Sequence, residues 1–136
     1  MAELHLRVVT PQSTIIDRKV SSVEFMGVDG SYGILPDHAA LMTATKPGIV
    51  TIKETDGSVE EMIVTDGFAE VRSNILSLIC EAGELAGEID LERAAEAEKR
   101  ARAAISDQTK VDVNLPKAEA ALQRALLRQM LGRKRR

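Results

Sequence analysis

The sequence predicts an α+β fold, with an N-terminal antiparallel β-sandwich over residues 1–87 followed by a C-terminal two-helix antiparallel hairpin over residues 88–136. The first segment holds eight of the nine glycines and three of the four prolines, whereas the second holds ten alanines with charges at helical spacing. The charge balance also changes sign at this boundary. Six basic and thirteen acidic residues give −7 before it, and twelve and eight give +4 after it. The two segments therefore predict two units with different roles.

Short β-branched and apolar runs between turn signals predict the strands of the first segment. The alternation of apolar and polar residues over 4–9 is typical of a strand with one buried face. Further strands are expected at 14–17, 20–26, 49–53, 59–64, 68–72 and 75–80. Asp56-Gly57 favours a tight hairpin turn between two of them. Such short strands with frequent turns favour a sandwich or barrel.

The segment from Gly27 to His38 has glycines at every third position up to Gly33. No lysine and no helix pattern follows these glycines, so a phosphate-binding loop is not predicted. A bulged, sharply turned chain is the favoured interpretation. The only tyrosine, Tyr32, is then expected on an exposed turn, where an aromatic side chain suggests contact with another protein.

Two helices are predicted in the second segment. Asp90 is the expected cap of a helix that runs to about Ile105. Residues 106–114 are expected to connect it to a second helix, which has Pro116 in its first turn and ends at Gly132. Small residues form the stripe on the first helix: Ala94, Ala97, Ala101 and Ala104. The expected inner face of the second helix is Ala118, Ala121, Leu122, Ala125 and Leu126.

The alanine seam predicts a hairpin that opens at small cost. Burying a leucine side chain is worth about 1.5–3 kcal/mol, and a single methyl group is worth less. We therefore expect the compact hairpin to be favoured by only a few kcal/mol. A ligand at about 100 times its dissociation constant stabilises the state that binds it by about 2.7 kcal/mol. A small molecule can therefore set this equilibrium.

The arginines of the second segment have the spacing of a candidate anion site. Arg93 and Arg100 are seven residues apart, and Arg124 and Arg128 are four apart, so each pair shares a helix face. Four guanidinium groups brought together would suit phosphate oxygens. The alternative is ordinary surface pairing, because glutamates stand four residues before Arg100 and Arg102. Spacing alone favours surface pairing and leaves the anion site open.

Several functions find no support in the residues. The single cysteine, Cys80, excludes an internal disulfide and fits a reducing compartment. No apolar run approaches the roughly 20 residues of a membrane span, and no signal-peptide pattern begins the chain. Two histidines without clustered partners predict no metal site, and no nucleophile–base set predicts catalysis. The basic tail 133–136 lacks interleaved aromatics, so it is interpreted as a disordered end and nucleic acid is not an expected partner.

Four blocks of sequence resemble the epsilon subunit of bacterial F-type ATP synthase, in family order over nearly the whole chain. They are Leu6-Arg7-Val8-Val9-Thr10-Pro11, Gly30-Ser31-Tyr32-Gly33-Ile34-Leu35-Pro36-Asp37-His38-Ala39-Ala40-Leu41-Met42-Thr43, Asp66-Gly67-Phe68-Ala69-Glu70-Val71 and Ile89-Asp90-Leu91-Glu92-Arg93-Ala94. The second block departs from the family pattern at three positions. Ser31 stands where an acidic residue is common, Asp37 where glycine is common and Ala40 where proline is common.

The resemblance implies a non-catalytic rotor subunit that couples the gamma subunit to the membrane c ring and inhibits ATP hydrolysis through a mobile hairpin. It implies that residues 1–87 bind gamma and the c ring, with Ser31, Tyr32 and His38 at or near those contacts. When the hairpin extends, it would meet the catalytic beta and the alpha subunits. The implied location is peripheral, on the cytoplasmic face of the bacterial plasma membrane, without direct membrane insertion.

The last block is similar to the motif with which some bacterial epsilon subunits bind ATP in the folded hairpin. ATP is then a possible regulatory ligand, and no cofactor is required. The candidate residues, matched position by position, are Glu84, Ile89, Asp90, Arg93, Ala94, Arg100, Arg124 and Arg128.

Two other functions remain as alternatives. One is a small ligand-binding β-sandwich with a helical dimerisation tail, which predicts a stable homodimer and a deep pocket. The other is a small β-fold hydrolase or sugar-modifying enzyme, which needs a cluster of acid and base residues that the sequence does not supply.

Overall fold

The computed structural model describes residues 3–106 and 114–134 of the chain. The chain divides into two compact units, Met1–Leu85 and Ala86–Arg136. This division lies two residues before the boundary expected at Gly87. The first unit is built from strands and the second from two helices, so the predicted fold class is confirmed.

Ten strands form the first unit. They are β1 Leu4–Val9, β2 Thr14–Val20, β3 Ser22–Gly27, β4 Gly30–Ile34, β5 Leu41–Thr45, β6 Gly48–Lys53, β7 Val59–Val64, β8 Gly67–Arg72, β9 Ile75–Cys80 and β10 Gly83–Leu85. The predicted strands are present. The break between the second and third strands was expected before Val20, but it lies after Val20. Strands β4, β5 and β10 were not predicted. Glycines in β4, threonines in β5 and the short length of β10 weaken the alternation of apolar and polar residues.

The strand order is β10-β7-β6-β3-β5-β8-β9-β1-β2, and β4 pairs with β3. The pairing is antiparallel, as predicted, except between β1 and β9, which run parallel with His5 opposite Ile75. A parallel pair needs a long connection, and here strands β2 to β8 supply it. Among the described strands, the sandwich is therefore antiparallel as predicted, with this one parallel pair.

Alternation along each strand directs the apolar side chains into one aliphatic core. Leu4, Leu6 and Val8 are fully buried, while His5 and Arg7 between them remain accessible. The buried set continues across the sheet with Ile16, Val20, Val23, Phe25, Ile34, Val50, Ile52, Met62, Val64, Ala69, Val71, Leu76, Leu78 and Cys80. Burial also raises the pKa of the Cys80 thiol, because the charged thiolate is poorly solvated there.

Tyr32 packs against its own sheet, so the prediction that it lies on an exposed turn is wrong. It belongs to β4 and faces Phe25 of β3, with the ring centroids 5.4 Å apart and the planes 8° from parallel. Its hydroxyl donates a hydrogen bond to Asp29 Oδ1 over 2.9 Å. A Cβ atom on Gly27 would lie 2.5 Å from the Tyr32 ring, so the glycine makes room for the aromatic pair.

The second unit contains a short 3₁₀ turn at Ala86–Glu88, helix α1 at Leu91–Ser106 and helix α2 at Leu115–Lys134. Asp90 caps α1 as predicted, since its Oδ1 accepts a hydrogen bond from the Arg93 backbone N–H over 3.1 Å. Asn114 caps α2 through the Lys117 N–H at 3.2 Å, and Pro116 lies in the first turn as expected. Residues 107–113 of the predicted connection lie outside the described residues.

Gly132 does not end α2, which continues to Lys134. A Cβ atom at Gly132 would lie 2.8 Å from Leu91 Cδ2 and 3.2 Å from Ile89 Cγ2. The glycine therefore allows α2 to pass close to the start of α1, and the helix-stop prediction is wrong. Because α2 includes Arg133 and Lys134, the expected disordered tail does not begin after Gly132, and residues 135–136 lie outside the described part of the chain.

The alanine stripe of α1 is confirmed, with Ala94 and Ala101 buried and the other two half-buried. On α2, Ala125 is fully buried, whereas Leu126 remains 41% exposed. The prediction that Leu126 lies on the inner face is therefore wrong. Successive helix positions are about 100° apart, so the residue that follows the buried Ala125 points away from the seam between the helices.

Candidate functional site

A groove of about 590 Å³ runs between α1 and α2. Alanines form its floor because their side chains let the helix backbones approach without filling the space between them. These residues are Ala97, Ala101, Ala104, Ala118 and Ala121. The small residues that form the seam between the helices therefore also form the groove.

Cations from both helices surround this floor. Arg100 comes from α1, and Lys117, Arg124 and Arg128 come from one face of α2, together with Asn114 at its cap. No acidic side chain is among the described residues that line the groove. A concave surface with four positive charges attracts anions, and guanidinium groups match phosphate oxygens.

The structure brings three of the four predicted arginines together. Arg100, Arg124 and Arg128 line the groove, as their spacing predicted, whereas Arg93 does not. Arg93 is exposed and lies about two helical turns, or about 10 Å, before Arg100 along α1. The expectation of four guanidinium groups at one site is therefore wrong for Arg93.

The remaining candidates hold the start of α1 or lie in the other unit. Ile89 and Ala94 are buried, with 5% and 2% of their surface exposed, and Asp90 is engaged as the helix cap. Glu84 belongs to β10 and is half-buried. None of these four residues is among those that line the groove.

Of the two i,i+4 pairs that the surface-pairing alternative predicts, the structure shows the one between Glu98 and Arg102. Arg102 Nε donates to Glu98 Oε2 over 2.7 Å, as an i,i+4 pair. Within residues 3–106 and 114–134, Arg100 forms no ion pair with Glu96. Arg100 is thus available to a ligand in the groove.

Lys117 was missed by the sequence reasoning, although a signal for it was present. It stands seven residues before Arg124, the same helical spacing that identified Arg93 and Arg100. The prediction named guanidinium groups, so it did not include this lysine in the first turn of α2. With Lys117, the groove is lined by four cations, the number that had been expected from four arginines including Arg93.

The candidate subunit contacts of the first unit occupy different settings. Ser31 is exposed on β4, opposite the partly exposed Met26. The His38 side chain is half-buried, and its Nδ1 donates a hydrogen bond to the Ala39 carbonyl oxygen over 2.8 Å. Leu35, which accepts the His38 backbone N–H, is 62% exposed. Ser31 and His38 are therefore accessible, whereas Tyr32 serves mainly to pack β4 against β3.

The outer surface of the sheet carries an apolar row that the sequence reasoning did not identify. Phe68 of β8 and Ile79 of β9 are directly paired, and they are 59% and 51% exposed. Ala44 of β5 lies beside Phe68, and Val9 of β1 lies beside Ile79. An aromatic and an aliphatic side chain paired on an open sheet face are typical of a surface that another protein covers.

Two further observations concern the described residues only. No group of three or more histidine, cysteine, aspartate or glutamate side chains within 3–106 and 114–134 is placed to hold a metal ion. In the same part of the chain, neither helix is sufficiently long and apolar to span a bilayer.

Both units match models of one protein family. Residues 3–86 match the β-sandwich domain of the ATP synthase delta/epsilon chain, and residues 88–128 match its long α-helix domain. A relative from Symbiobacterium thermophilum, the ATP synthase epsilon chain, is 40% identical over 129 residues, which cover 94% of this chain and 91% of the relative.

Solved structures share the fold. A chain in the cryo-EM structure of Euglena gracilis mitochondrial ATP synthase, which contains OSCP, F1 and the c-ring, aligns with a TM-score of 0.79 and 23% identity, covering 93% of this chain and 79% of that one. A chain in the central stalk and c-ring structure of Tetrahymena thermophila mitochondrial ATP synthase aligns with a TM-score of 0.61 and 14% identity, covering 95% and 96%.

A β-sandwich joined to an α-helical hairpin, matched in both parts, defines the class. The chain belongs to the ATP synthase delta/epsilon chain family. Its resemblance to epsilon subunits is confirmed by the relatives that carry that name, and so is the prediction of a non-catalytic subunit.

Proposed function

We propose that this protein is a rotor subunit of F-type ATP synthase that couples the gamma subunit to the membrane c ring and limits ATP hydrolysis through its hairpin. The observation that carries the proposal is the match of both units, in order, to the two domains of the delta/epsilon family. The solved neighbours belong to assemblies that contain a c-ring, which supports the same partners here.

The sandwich is the part that docks. The apolar row around Phe68 and Ile79 fits the gamma subunit, since exposed apolar surface is stabilised when a partner covers it. Ser31, Tyr32 and His38 are candidate positions for the contact with gamma and the c ring. The protein is then peripheral to the membrane, on the cytoplasmic face of the bacterial plasma membrane, and held there by its partners.

The hairpin is the regulatory part. The folded hairpin presents the groove with Arg100, Lys117, Arg124 and Arg128, and we propose that the phosphates of ATP bind there. ATP would then favour the closed hairpin because it binds only that state. When the hairpin extends, α2 contacts the catalytic beta and the alpha subunits and slows ATP hydrolysis.

Docking is tested in membranes whose ATP synthase is reconstituted with variants of the chain. Phe68→Asp places a charge in the apolar row and should abolish co-purification of the chain with the complex and ATP-driven proton pumping. Val59→Asp is the matched control, because Val59 is 55% exposed on β7, away from that row. Full coupling with Phe68→Asp, or equal losses with both variants, would contradict docking through the row.

Nucleotide binding is tested by isothermal titration of the full-length chain with Mg-free ATP. Arg128→Ala and Arg124→Ala should each weaken binding by about tenfold or more, because each removes a charge-assisted contact. Lys99→Ala is the control, since Lys99 is exposed on α1 and does not line the groove. Absence of heat with the unmodified chain, or identical heats from all variants, would remove the site.

A further inference from the structure

A buried polar side chain interrupts the alanine seam between the helices. Gln129 of α2 is only 6% exposed, and its Nε2 donates a hydrogen bond to Glu98 Oε1 of α1 over 2.7 Å. Its Oε1 accepts a hydrogen bond from Arg133 Nη2 over 3.2 Å. Glu98 Oε2 accepts a second bond, from Arg102 Nε, over 2.7 Å. The four side chains form one continuous network across the seam.

The alanines of the seam are alike, so this hydrogen-bond network is the feature that specifies how α2 aligns on α1. Alanines can slide past one another by a turn with little change in buried area, so they do not fix how α2 aligns on α1. A buried polar group does so, because another alignment breaks the hydrogen bond between Gln129 and Glu98 and leaves Gln129 with partners on α2 alone. In the observed alignment, Gln129 has a donor and an acceptor satisfied, and Glu98 has both oxygens bonded.

We propose that the hydrogen bond between Glu98 and Gln129 is a latch that holds the hairpin closed and fixes the alignment of its helices. Neither residue lines the cationic groove. The latch therefore stabilises the closed hairpin without a nucleotide and acts in addition to any ligand in the groove. Opening requires the network to break even when the groove is empty.

The test measures amide hydrogen exchange of the full-length chain without nucleotide. Glu98→Ala and Gln129→Met should speed exchange in α1 and α2 by about 10- to 100-fold, the range expected for losing a hydrogen bond to a charged group. Glu98→Gln keeps an acceptor for Gln129 and should lie between these variants and the unmodified chain. Glu96→Ala, an exposed glutamate two residues away, is the control and should change nothing.

Exchange in the sandwich reports whether each variant is folded, and it should stay unchanged. If Glu98→Ala and Glu96→Ala exchange within twofold of each other in both helices, the latch is overturned. Faster exchange in all strands as well would show general destabilisation, which also contradicts a latch confined to the hairpin.

The consequence for inhibition rests on the proposed function and is measured separately. In the assembled enzyme, Glu98→Ala should deepen inhibition of ATP hydrolysis, since a larger fraction of hairpins is open. If the variant opens the isolated hairpin but leaves inhibition unchanged, the inhibitory role of the hairpin fails while the latch stands.

Discussion

Asp37 and Asn74 hold two turns of the sandwich together by two hydrogen bonds. Asn74 Nδ2 donates to Asp37 Oδ1 over 3.0 Å, and the Asp37 backbone N–H donates to Asn74 Oδ1 over 2.5 Å. Both residues have positive φ angles, 65° and 63°. Aspartate and asparagine tolerate this region better than other non-glycine residues, which suits both positions. The pair fixes the loop that carries His38.

Two replacements of Asn74 should distinguish the stabilisation by its hydrogen bonds from the cost of its positive φ angle. Asn74→Gly loses both bonds but keeps the positive φ, and it should lower the free energy of unfolding by about 1–3 kcal/mol. Asn74→Ala adds the cost of the left-handed backbone and should be worse by about a further 1 kcal/mol. Urea unfolding of the full-length chain measures both. Equal stabilities of the two variants would show that Asn74 carries no backbone strain.

Gly132 should accept alanine but not a branched side chain. In Gly132→Ala, the gain in helix propensity of about 1 kcal/mol offsets the push against Leu91, whose Cδ2 can move. Gly132→Val adds bulk towards both Leu91 and Ile89 and should destabilise the hairpin by about 1–3 kcal/mol. Limited proteolysis of the hairpin measures the difference. A valine variant as resistant as the unmodified chain would show that the close approach is not required.

The hairpin should open as the pH falls. The hydrogen bond from Gln129, followed by that from Arg102, lowers the pKa of Glu98, and the charge of Arg133 acts in the same direction. A lowered folded-state pKa means that the stabilisation is complete above the ordinary glutamate pKa of about 4.3 and is lost as the pH falls through the lower folded-state value. Protection factors of the α1 and α2 amides, which correct the exchange rate for its intrinsic pH dependence, should fall at the acid end of a series from pH 6 to pH 3. Glu98→Gln should flatten that change, and an identical pH profile would contradict the assignment to Glu98.

Lys117 should contribute to nucleotide affinity. Lys117→Met keeps the length of the side chain but removes one of the four charges of the groove, so ATP binding should weaken by about tenfold. Lys99→Met is the control, because Lys99 is exposed on α1 outside the groove. Titration calorimetry measures both. Equal affinities of the two variants would exclude Lys117 from the site.

Local signals in the sequence were sufficient for most elements. The alternation over β1, the cap at Asp90 and the alanine stripe depend on neighbouring residues, so they were predicted correctly. The errors involve residues distant in sequence or elements with weak local pattern. The stacking of Tyr32 on Phe25 depends on the register of the β3–β4 hairpin, and the role of Gly132 depends on Leu91, about 40 positions earlier.

For the site, helical spacing identified Arg100, Arg124 and Arg128 because residues three, four or seven apart share a face. It could not exclude Arg93, since the alignment of α1 on α2 decides which turns meet. The hydrogen bond between Glu98 and Gln129 was not predicted for the same reason. The two residues lie on different helices, and spacing within one helix does not show which residues of the two helices meet.

The proposed function depends on a weakly closed helical hairpin whose closed state binds ATP. Hydrogen exchange of the full-length chain, with and without saturating Mg-free ATP, tests it most directly. Amides of α1 and α2 should exchange faster than those of the sandwich core, and ATP should slow exchange in the helices but not in the strands. Equal protection of both units, unchanged by ATP, would contradict it.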